Sequence, residues 1–177
     1  MIGWFRGAGW KVEGRLPSLP KFVLVGAPHT SNWDFLVFVG AVDSFGRDVH
    51  FIGKHSLFRW PMARFMRGLG GVPVDRRASN DLVRQMAAEF AAHDDFILVV
   101  APEGTRSPGT RWRSGFYRIA QAAGVPMVCV GPDYPRRRAV IGPTIVPTGD
   151  YDADMAPGFA FFRTLRGLHP ARGFIPD

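Results

Sequence analysis

The chain has 177 residues, a length that fits one domain able to bury a core without disulfides or a structural metal. Hydrophobic residues make up 46% and charged residues 21%, a balance that excludes a disordered chain. The formal net charge of +7 favours an anionic partner, which could be nucleic acid, a phosphorylated substrate or an acidic membrane face. The one cysteine, Cys129, excludes an internal disulfide, and we expect a buried, inert thiol in a strand.

Predicted strands and helices alternate along the chain. Short apolar runs bounded by turn residues predict strands at residues 21–27, 49–54, 72–76, 96–101, 125–131 and 138–146. Segments with apolar residues every three or four positions predict helices at residues 34–45, 61–69, 82–93, 116–123 and about 159–166. This alternation predicts an α/β single-domain layered sandwich over residues 1–177, with a largely parallel central sheet flanked by helices.

The N-terminal segment, residues 1–19, gives no sign of a secretory signal or a membrane span. Its glycines predict a poor helix, and it lacks the continuous apolar stretch of a signal peptide. The longest apolar run of the whole chain, FLVFVGAV, is too short to cross a bilayer. These observations favour a cytoplasmic location.

The segment HTSNWD, residues 29–34, joins the first predicted strand to the first predicted helix. Its Thr, Ser, Asn and Asp residues are all good helix N-caps, so an ordinary cap is one interpretation. In the other, the loop folds back so that the Asp34 carboxylate accepts the proton on one imidazole nitrogen of His29. The second nitrogen would then take a proton from a hydroxyl group. Because no serine or cysteine nucleophile accompanies the pair, the substrate would supply the nucleophile.

A second polar loop, PEGTRSPG, follows the strong strand at residues 96–101. It is either a polar turn rich in Gly and Pro, or a phosphate clasp of backbone N–H groups, hydroxyls and the Arg106 guanidinium. Glu103 is an unusual neighbour for an anion, and we expect it to hold Arg106 or another basic group. Arg76, at another strand exit, would by itself be a solvated turn residue. Ligands of parallel sheets gather at the carboxyl ends of strands, so we expect His29 and both arginines at one edge.

Other catalytic and binding motifs are excluded by particular residues. GKHS at residues 53–56 resembles a phosphate loop, but Asp48 stands where a glycine is required and His55 where Ser or Thr is required. The chain contains no G-x-S-x-G, no H-E-x-x-H and no set of zinc ligands. We therefore expect no metal. The basic residues do not form a recognisable nucleic-acid module, so we expect no nucleic acid as a partner.

Taken in order, these segments resemble the glycerolipid acyltransferase family typified by lysophosphatidic acid acyltransferase. The matching segments are HTSNWD for the His-x4-Asp block, GGVPVDR ending at Arg76 for the second block, PEGTRS at residues 102–107 for the third, and VPMVCV at residues 125–130 for the apolar–proline–apolar strand. The resemblance covers about residues 22–132. Pro28 stands where family members commonly carry an asparagine.

The resemblance implies an enzyme, an acyltransferase. A hydroxyl of a lysophospholipid, classically lysophosphatidic acid, would attack the thioester of acyl-CoA or acyl-carrier protein, with no covalent acyl-enzyme and no cofactor beyond that co-substrate. His29 would be the general base, and Asp34 would orient it. The residues implied to bind the acceptor phosphate are Arg76, Glu103, Gly104, Thr105 and Arg106. The residues implied to shape the acyl or acceptor cleft are Lys54, Val125 and Pro126.

The resemblance also implies a peripheral enzyme at the inner face of the cytoplasmic membrane. The sequence itself leaves open whether residues 1–19 contact the membrane. They could form an interfacial anchor through the aromatic Trp4, Phe5 and Trp10 and the basic Arg6 and Lys11, or pack against the domain instead. The arginines of residues 59–67 could attract anionic lipid. We expect the Met and Phe residues of that helix to pack into the core instead.

Two other functions stay open. The first is a thioesterase on the same scaffold, in which His29 activates water. The second is a non-catalytic basic module that binds anionic membrane or nucleic acid, although such a module has no need of His29 and Asp34 at this spacing.

Overall fold

The computed structural model of the protein describes residues 2–31, 33–54, 58–61, 63–68, 70–74, 79–103 and 112–176. Within these ranges one sheet contains the strands β1 Lys11–Glu13, β2 Lys21–Gly26, β3 Val49–Lys54, β4 Gly71–Val74, β5 Phe96–Val100, β6 Met127–Asp133 and β7 Arg138–Ile145. The helices are α1 Ile2–Gly7, α2 Trp33–Asp43, α3 Ala63–Gly68, α4 Ser79–Ala92, α5 Gly115–Ala123, α6 Tyr151–Arg163 and a 3-10 turn at Pro170–Arg172.

The strand order across the sheet is β1-β7-β6-β2-β5-β3-β4. Every neighbouring pair is parallel except β6 and β7, which are antiparallel. At the centre, Val25 of β2 lies opposite Cys129 of β6 on one side and Val100 of β5 on the other. The carboxyl ends of β2, β5 and β6 therefore meet at one edge. The predicted α/β fold with a largely parallel sheet is confirmed.

Helices cover both faces of the sheet, which explains the continuous apolar runs of the central strands. On one face, α4, α5 and α6 each contribute a buried side chain to a single cluster with the strands, namely Met86, Phe116 and Phe162. On the other face, Phe38 of α2 packs against Phe22 and Leu24 of β2. Packing on both faces therefore holds β2 in place, and this fixes the position at which the loop after β2 begins.

The N-terminal segment differs from the sequence-based prediction. Ile2–Gly7 form a helix despite the glycines, because Phe5 packs closely onto α2. The fit depends on Gly40, where an added Cβ would lie 2.6 Å from the Phe5 ring. Phe5 and Trp10 are only 1% and 7% exposed, so these two residues pack against the domain and do not form an interfacial anchor. Trp4, at 48% exposed, faces outward.

Two further features of the fold, strand β1 and the first part of helix α6, were not predicted from the sequence. β1 is three residues long, too short to show a period. Helix α6 begins well before the predicted residue 159, with Asp150 as an N-cap that accepts the N–H of Ala153. Pro157 inside this helix interrupted the pattern that predicts it. In the described part of the chain, no helix has both the length and the apolar character needed to cross a membrane.

Candidate active site

Three loops meet at the carboxyl edge of the sheet. They carry His29 after β2, Glu103 after β5 and Tyr134 after β6. The backbone N–H of His29 donates to Glu103 Oε1 at 2.7 Å, and the Tyr134 hydroxyl donates to Asp34 Oδ1 at 2.6 Å. The HTSNWD segment and the beginning of PEGTRS therefore do lie together, as the order of strands and loops predicted.

The structure brings His29 and Asp34 side by side. His29 Nδ1 lies 3.6 Å from Asp34 Oδ2, which is beyond a hydrogen bond but close enough for the carboxylate to stabilise the imidazole whenever the imidazole is protonated. The His29 side chain is 28% exposed and that of Asp34 only 5%. The imidazole can therefore meet a ligand while the carboxylate stays inside the protein behind it.

The Asp34 carboxylate also fixes the loop on which His29 lies. Asp34 Oδ2 accepts the backbone N–H groups of Thr30 at 2.6 Å and Ser31 at 2.7 Å. The Ser31 hydroxyl accepts the N–H of Trp33 at 3.2 Å, at the start of α2. These donors compensate the buried charge of the carboxylate. The loop is thus both a capped helix start and a support that holds a carboxylate beside an imidazole.

Glu103 contacts the backbone of His29, a partner that the sequence did not suggest. Burial raises the pKa of Glu103 from its ordinary 4.5 to about 7, with a smaller rise from the negative charge of Asp34 and despite the hydrogen bond from His29. The Glu103 carboxyl is consequently protonated for part of the time near neutral pH. Protonation limits the repulsion between Glu103 and Asp34, which both accept backbone N–H groups of residues 29–31.

A cavity of about 1690 Å³ opens at this edge of the sheet. It exceeds the roughly 300–1,000 Å³ of ordinary small-molecule pockets, so a long substrate would fit. His29 and Asp34 both line it. Apolar side chains cover much of its wall, among them Val37, Phe38, Phe51, Ile52, Trp112 and Phe116. The described cations that line it are Arg113, Arg118 and Arg172. A site with these walls can take a ligand that is apolar over much of its length and anionic at one end.

Several predicted binding residues fall outside this description. Arg76, Gly104, Thr105 and Arg106 lie outside the described residues, so their predicted phosphate contacts stay predictions. Lys54 is the last residue of β3, at the carboxyl edge, and its side chain lies outside the described part of the chain.

Val125 and Pro126 lie at the opposite edge of the sheet from His29. They precede β6, whose carboxyl end points to the site, and the Pro126 carbonyl accepts the N–H of Val23. Val125 is buried in the core. Neither residue lines the cavity, so the structure does not bring the proline-containing segment together with the His29–Asp34 pair.

Sequence analysis missed Tyr134 and the cavity-lining arginines Arg113, Arg118 and Arg172. Arg113 follows the PEGTRS loop closely, and its position there was an available signal. Arg172 belongs to the C-terminal segment, which reaches the site through a hydrogen bond of 3.2 Å from the His169 N–H to the Thr30 hydroxyl.

Cys129 is not a candidate nucleophile for this site. Burial raises the pKa of the Cys129 thiol to about 12, so the thiol stays protonated at neutral pH and is a poor nucleophile. This agrees with the predicted inert thiol in a strand. Within the described ranges, no three His, Cys, Asp or Glu side chains come together as a metal site.

Fold and site together define an α/β protein with a histidine–carboxylate pair at the mouth of a large, partly basic cavity. The sequence model of the acyltransferase family matches residues 11–132, more than half of the chain, and the protein therefore belongs to the acyltransferase family. A search of curated proteins finds no match. Among solved structures, the protein is similar to the crystal structure of the 1-acyl-sn-glycerophosphate (LPA) acyltransferase PlsC from Thermotoga maritima. The TM-score is 0.60 and the identity 21%, over 90% of this chain and 73% of that chain.

Proposed function

We propose that this protein transfers a fatty acyl group from acyl-CoA or acyl-carrier protein to a hydroxyl of a lysophospholipid such as lysophosphatidic acid. The observation that carries the proposal is the His29–Asp34 pair, 3.6 Å apart at the wall of a cavity of about 1690 Å³, in a chain of the acyltransferase family. The apolar walls suit an acyl chain.

The proposed mechanism gives each ring nitrogen of His29 a separate role. With Nδ1 of His29 facing Asp34, the other nitrogen, Nε2, takes the proton of the acceptor hydroxyl. The hydroxyl oxygen attacks the thioester carbonyl, the carbon–sulfur bond breaks, and the proton passes from His29 to the departing thiolate. The 3.6 Å separation would shorten to a hydrogen bond when the imidazole becomes charged. No protein nucleophile is required.

The acceptor would be held by its phosphate. Arg113 and Arg172 line the cavity, and their guanidinium groups match the geometry of a phosphate. Arg76, Gly104, Thr105 and Arg106 are proposed to complete the phosphate site. Glu103 would contribute indirectly, since it holds the backbone of His29.

The enzyme is proposed to work in the cytoplasm, at the inner face of the membrane. Two exposed tryptophans support this location. Trp33, 55% exposed, lines the cavity, and Trp60, 93% exposed, follows the carboxyl end of β3 at the same edge of the sheet. Exposed arginines accompany Trp60, namely Arg59, Arg64 and Arg67. Tryptophan prefers the membrane interface, and each basic residue near an anionic surface contributes about 1 kcal/mol.

Turnover tests the proposed function directly. The purified protein is incubated with labelled acyl-CoA or acyl-carrier protein and lysophosphatidic acid, or with a mixed lipid extract, and the products are identified by mass spectrometry. We expect label in an acylated phospholipid. Loss of the thioester without an acylated lipid would identify a thioesterase, and an intact thioester would leave only a binding module.

Vesicle binding tests the proposed location. We expect the protein to sediment with vesicles that contain anionic phospholipid, and Trp60→Ala to sediment less. Val146→Ala is the control, because Val146 is an exposed apolar residue at the opposite edge of the sheet. Equal losses for the two variants, or no sedimentation of the wild type, would contradict the proposed location.

A further inference from the structure

The Tyr134 hydroxyl donates to Asp34 Oδ1 at 2.6 Å, across a separation of 100 residues in sequence. Tyr134 lies two positions beyond the last residue that the acyltransferase family model matches. Its place is fixed from several sides. Its ring meets that of Trp10 edge to face, with centroids 5.0 Å apart, and its backbone N–H donates to the Arg166 carbonyl at 2.9 Å.

The two oxygens of Asp34 have separate partners. Oδ2 accepts the two loop N–H groups and faces His29 Nδ1, whereas Oδ1 accepts the Tyr134 hydroxyl. A carboxylate with only the Oδ2 contacts could still rotate about its last bond and move away from the imidazole. A donor on Oδ1, aligned by packed neighbours, removes that freedom.

We propose that Tyr134 is a positioning residue for acyl transfer, which holds the Asp34 carboxylate in the orientation that faces His29. This proposal rests on the proposed function, because it assigns Tyr134 a role in the same reaction. Tyr134 does not line the cavity, whereas Asp34 does. Tyr134 therefore acts through Asp34 and makes no contact with the substrate.

The donor is available over the whole physiological pH range. Burial, followed by the hydrogen bond to Asp34, raises the pKa of Tyr134 above its ordinary value. The hydroxyl thus keeps its proton, and the carboxylate keeps its donor, under any conditions in which the enzyme would work.

The hydrogen bond between Tyr134 and Asp34 would look the same if its role were only structural. The protein contains a second tyrosine–aspartate hydrogen bond that serves as a comparison. The Tyr117 hydroxyl donates to Asp154 Oδ2, also at 2.6 Å, and Asp154 likewise accepts a backbone N–H, that of Thr148. Neither Tyr117 nor Asp154 lines the cavity. Tyr117→Phe removes a similar hydrogen bond away from the reaction, together with the acceptor of the Gly149 N–H, and it serves as a stringent control.

The test is a double-mutant cycle on the acyl-transfer rate, with Tyr134→Phe, Asp34→Asn and the two combined. A hydrogen bond to a charged group is strong enough that we expect Tyr134→Phe to lower kcat by about 10-fold or more. The KM values for donor and acceptor should stay within about twofold, because Tyr134 lies outside the cavity. In the Asp34→Asn background the same change should lower kcat by less than about twofold. Tyr117→Phe should leave kcat within about twofold in both backgrounds.

Two results would overturn the proposal. One is a wild-type kcat in Tyr134→Phe while His29→Ala is inactive, which would leave the proposed function intact. The other is an equal loss of kcat with and without Asp34, which would mean that Tyr134 acts by another route.

Urea unfolding of the same variants confirms that each is folded. A double-mutant cycle on the unfolding free energies measures the Tyr134–Asp34 coupling without any turnover. A wild type with no acyl transfer would remove the proposed function and this role together, and the unfolding cycle would identify the hydrogen bond as purely structural.

Discussion

Glu103→Gln gives the most specific physical prediction, because it tests the contact between the loop that carries Glu103 and the loop that carries His29. Gln keeps an oxygen that can accept the His29 N–H, and it removes the charge. The pKa of Glu103 rises from 4.5 to about 7 on folding. Between these pH values the folded protein binds more protons than the unfolded chain, so the contribution of Glu103 to stability falls as the pH rises through this window. Above about pH 7 the partly buried Glu103 carboxylate is charged, and this charge lowers the stability of the folded protein.

The size of this effect follows from the pKa values. The complete rise corresponds to about 3 kcal/mol, and solvent screening of a partly exposed side chain reduces it to about 1–2 kcal/mol. The stability of Glu103→Gln relative to the wild type should therefore increase by about 1–2 kcal/mol between pH 4.5 and pH 8. Urea unfolding at a series of pH values measures this difference.

A matched control separates this effect from a general change of net charge. Glu13→Gln also removes one carboxylate, from an exposed position where Glu13 pairs with Arg136. Its stability relative to the wild type should not rise through the same window. If the relative stability of Glu103→Gln stayed constant or decreased with rising pH, the buried contact between Glu103 and the His29 loop would be refuted.

Three further substitutions test the site. Asp34→Asn should lower kcat by roughly 10²–10⁴-fold while the protein stays folded, measured by acyl transfer and by circular dichroism, and a near wild-type rate would contradict the role of the carboxylate. Gly131→Ala should cost about 1–3 kcal/mol in urea unfolding, because the added Cβ would overlap the Ala27 carbonyl oxygen at the end of β2, and an unchanged midpoint would contradict this close packing. Arg113→Gln should raise the acceptor KM by about 10-fold or more if its guanidinium binds phosphate. Arg84→Gln should leave the acceptor KM unchanged, because Arg84 of α4 does not line the cavity, and equal KM values for both variants would remove Arg113 from the phosphate site.

The sheet could be predicted from the sequence because its central strands are buried on both faces. Runs such as FILVV at Phe96–Val100 and KFVLVG at Lys21–Gly26 are continuously apolar, and the turn residues around them mark their ends. The loops that follow parallel strands necessarily lie at one edge. The placement of the His29 loop and the Glu103 loop at one edge was therefore predictable from the sequence. Their direct contact was not, because it requires β2 and β5 to be neighbours in the sheet.

The N-terminal helix could not be predicted, since its stability comes from tertiary packing. Glycine disfavours a helix locally, but the Phe5 ring fits against Gly40 and compensates for this. The same packing buries Trp10. A local pattern of aromatic and basic residues cannot distinguish a membrane anchor from core side chains next to exposed charges.

The contact between Tyr134 and Asp34 could not be predicted from the sequence for a different reason. The two residues are 100 positions apart, and the contact arises only because β2 and β6 are neighbours in the sheet. The contact of Glu103 with His29 could not be predicted either, because a backbone N–H group carries no signature in the sequence. The predicted contact of Glu103 with Arg106 stays a prediction, since Arg106 lies outside the described residues. Val125 and Pro126 matched a family pattern, and only the direction of β6 places them at the far edge of the sheet.

Acyl transfer by His29→Ala, compared with the wild type, tests the central claim most directly. Both proteins are given the same labelled acyl thioester and lysophosphatidic acid, and labelled phospholipid is measured over time. If the imidazole accepts the proton of the hydroxyl, the variant should be roughly 10²–10⁴-fold slower with an unchanged circular dichroism spectrum. A folded His29→Ala protein that forms labelled phospholipid at the wild-type rate would contradict the role of His29 as general base.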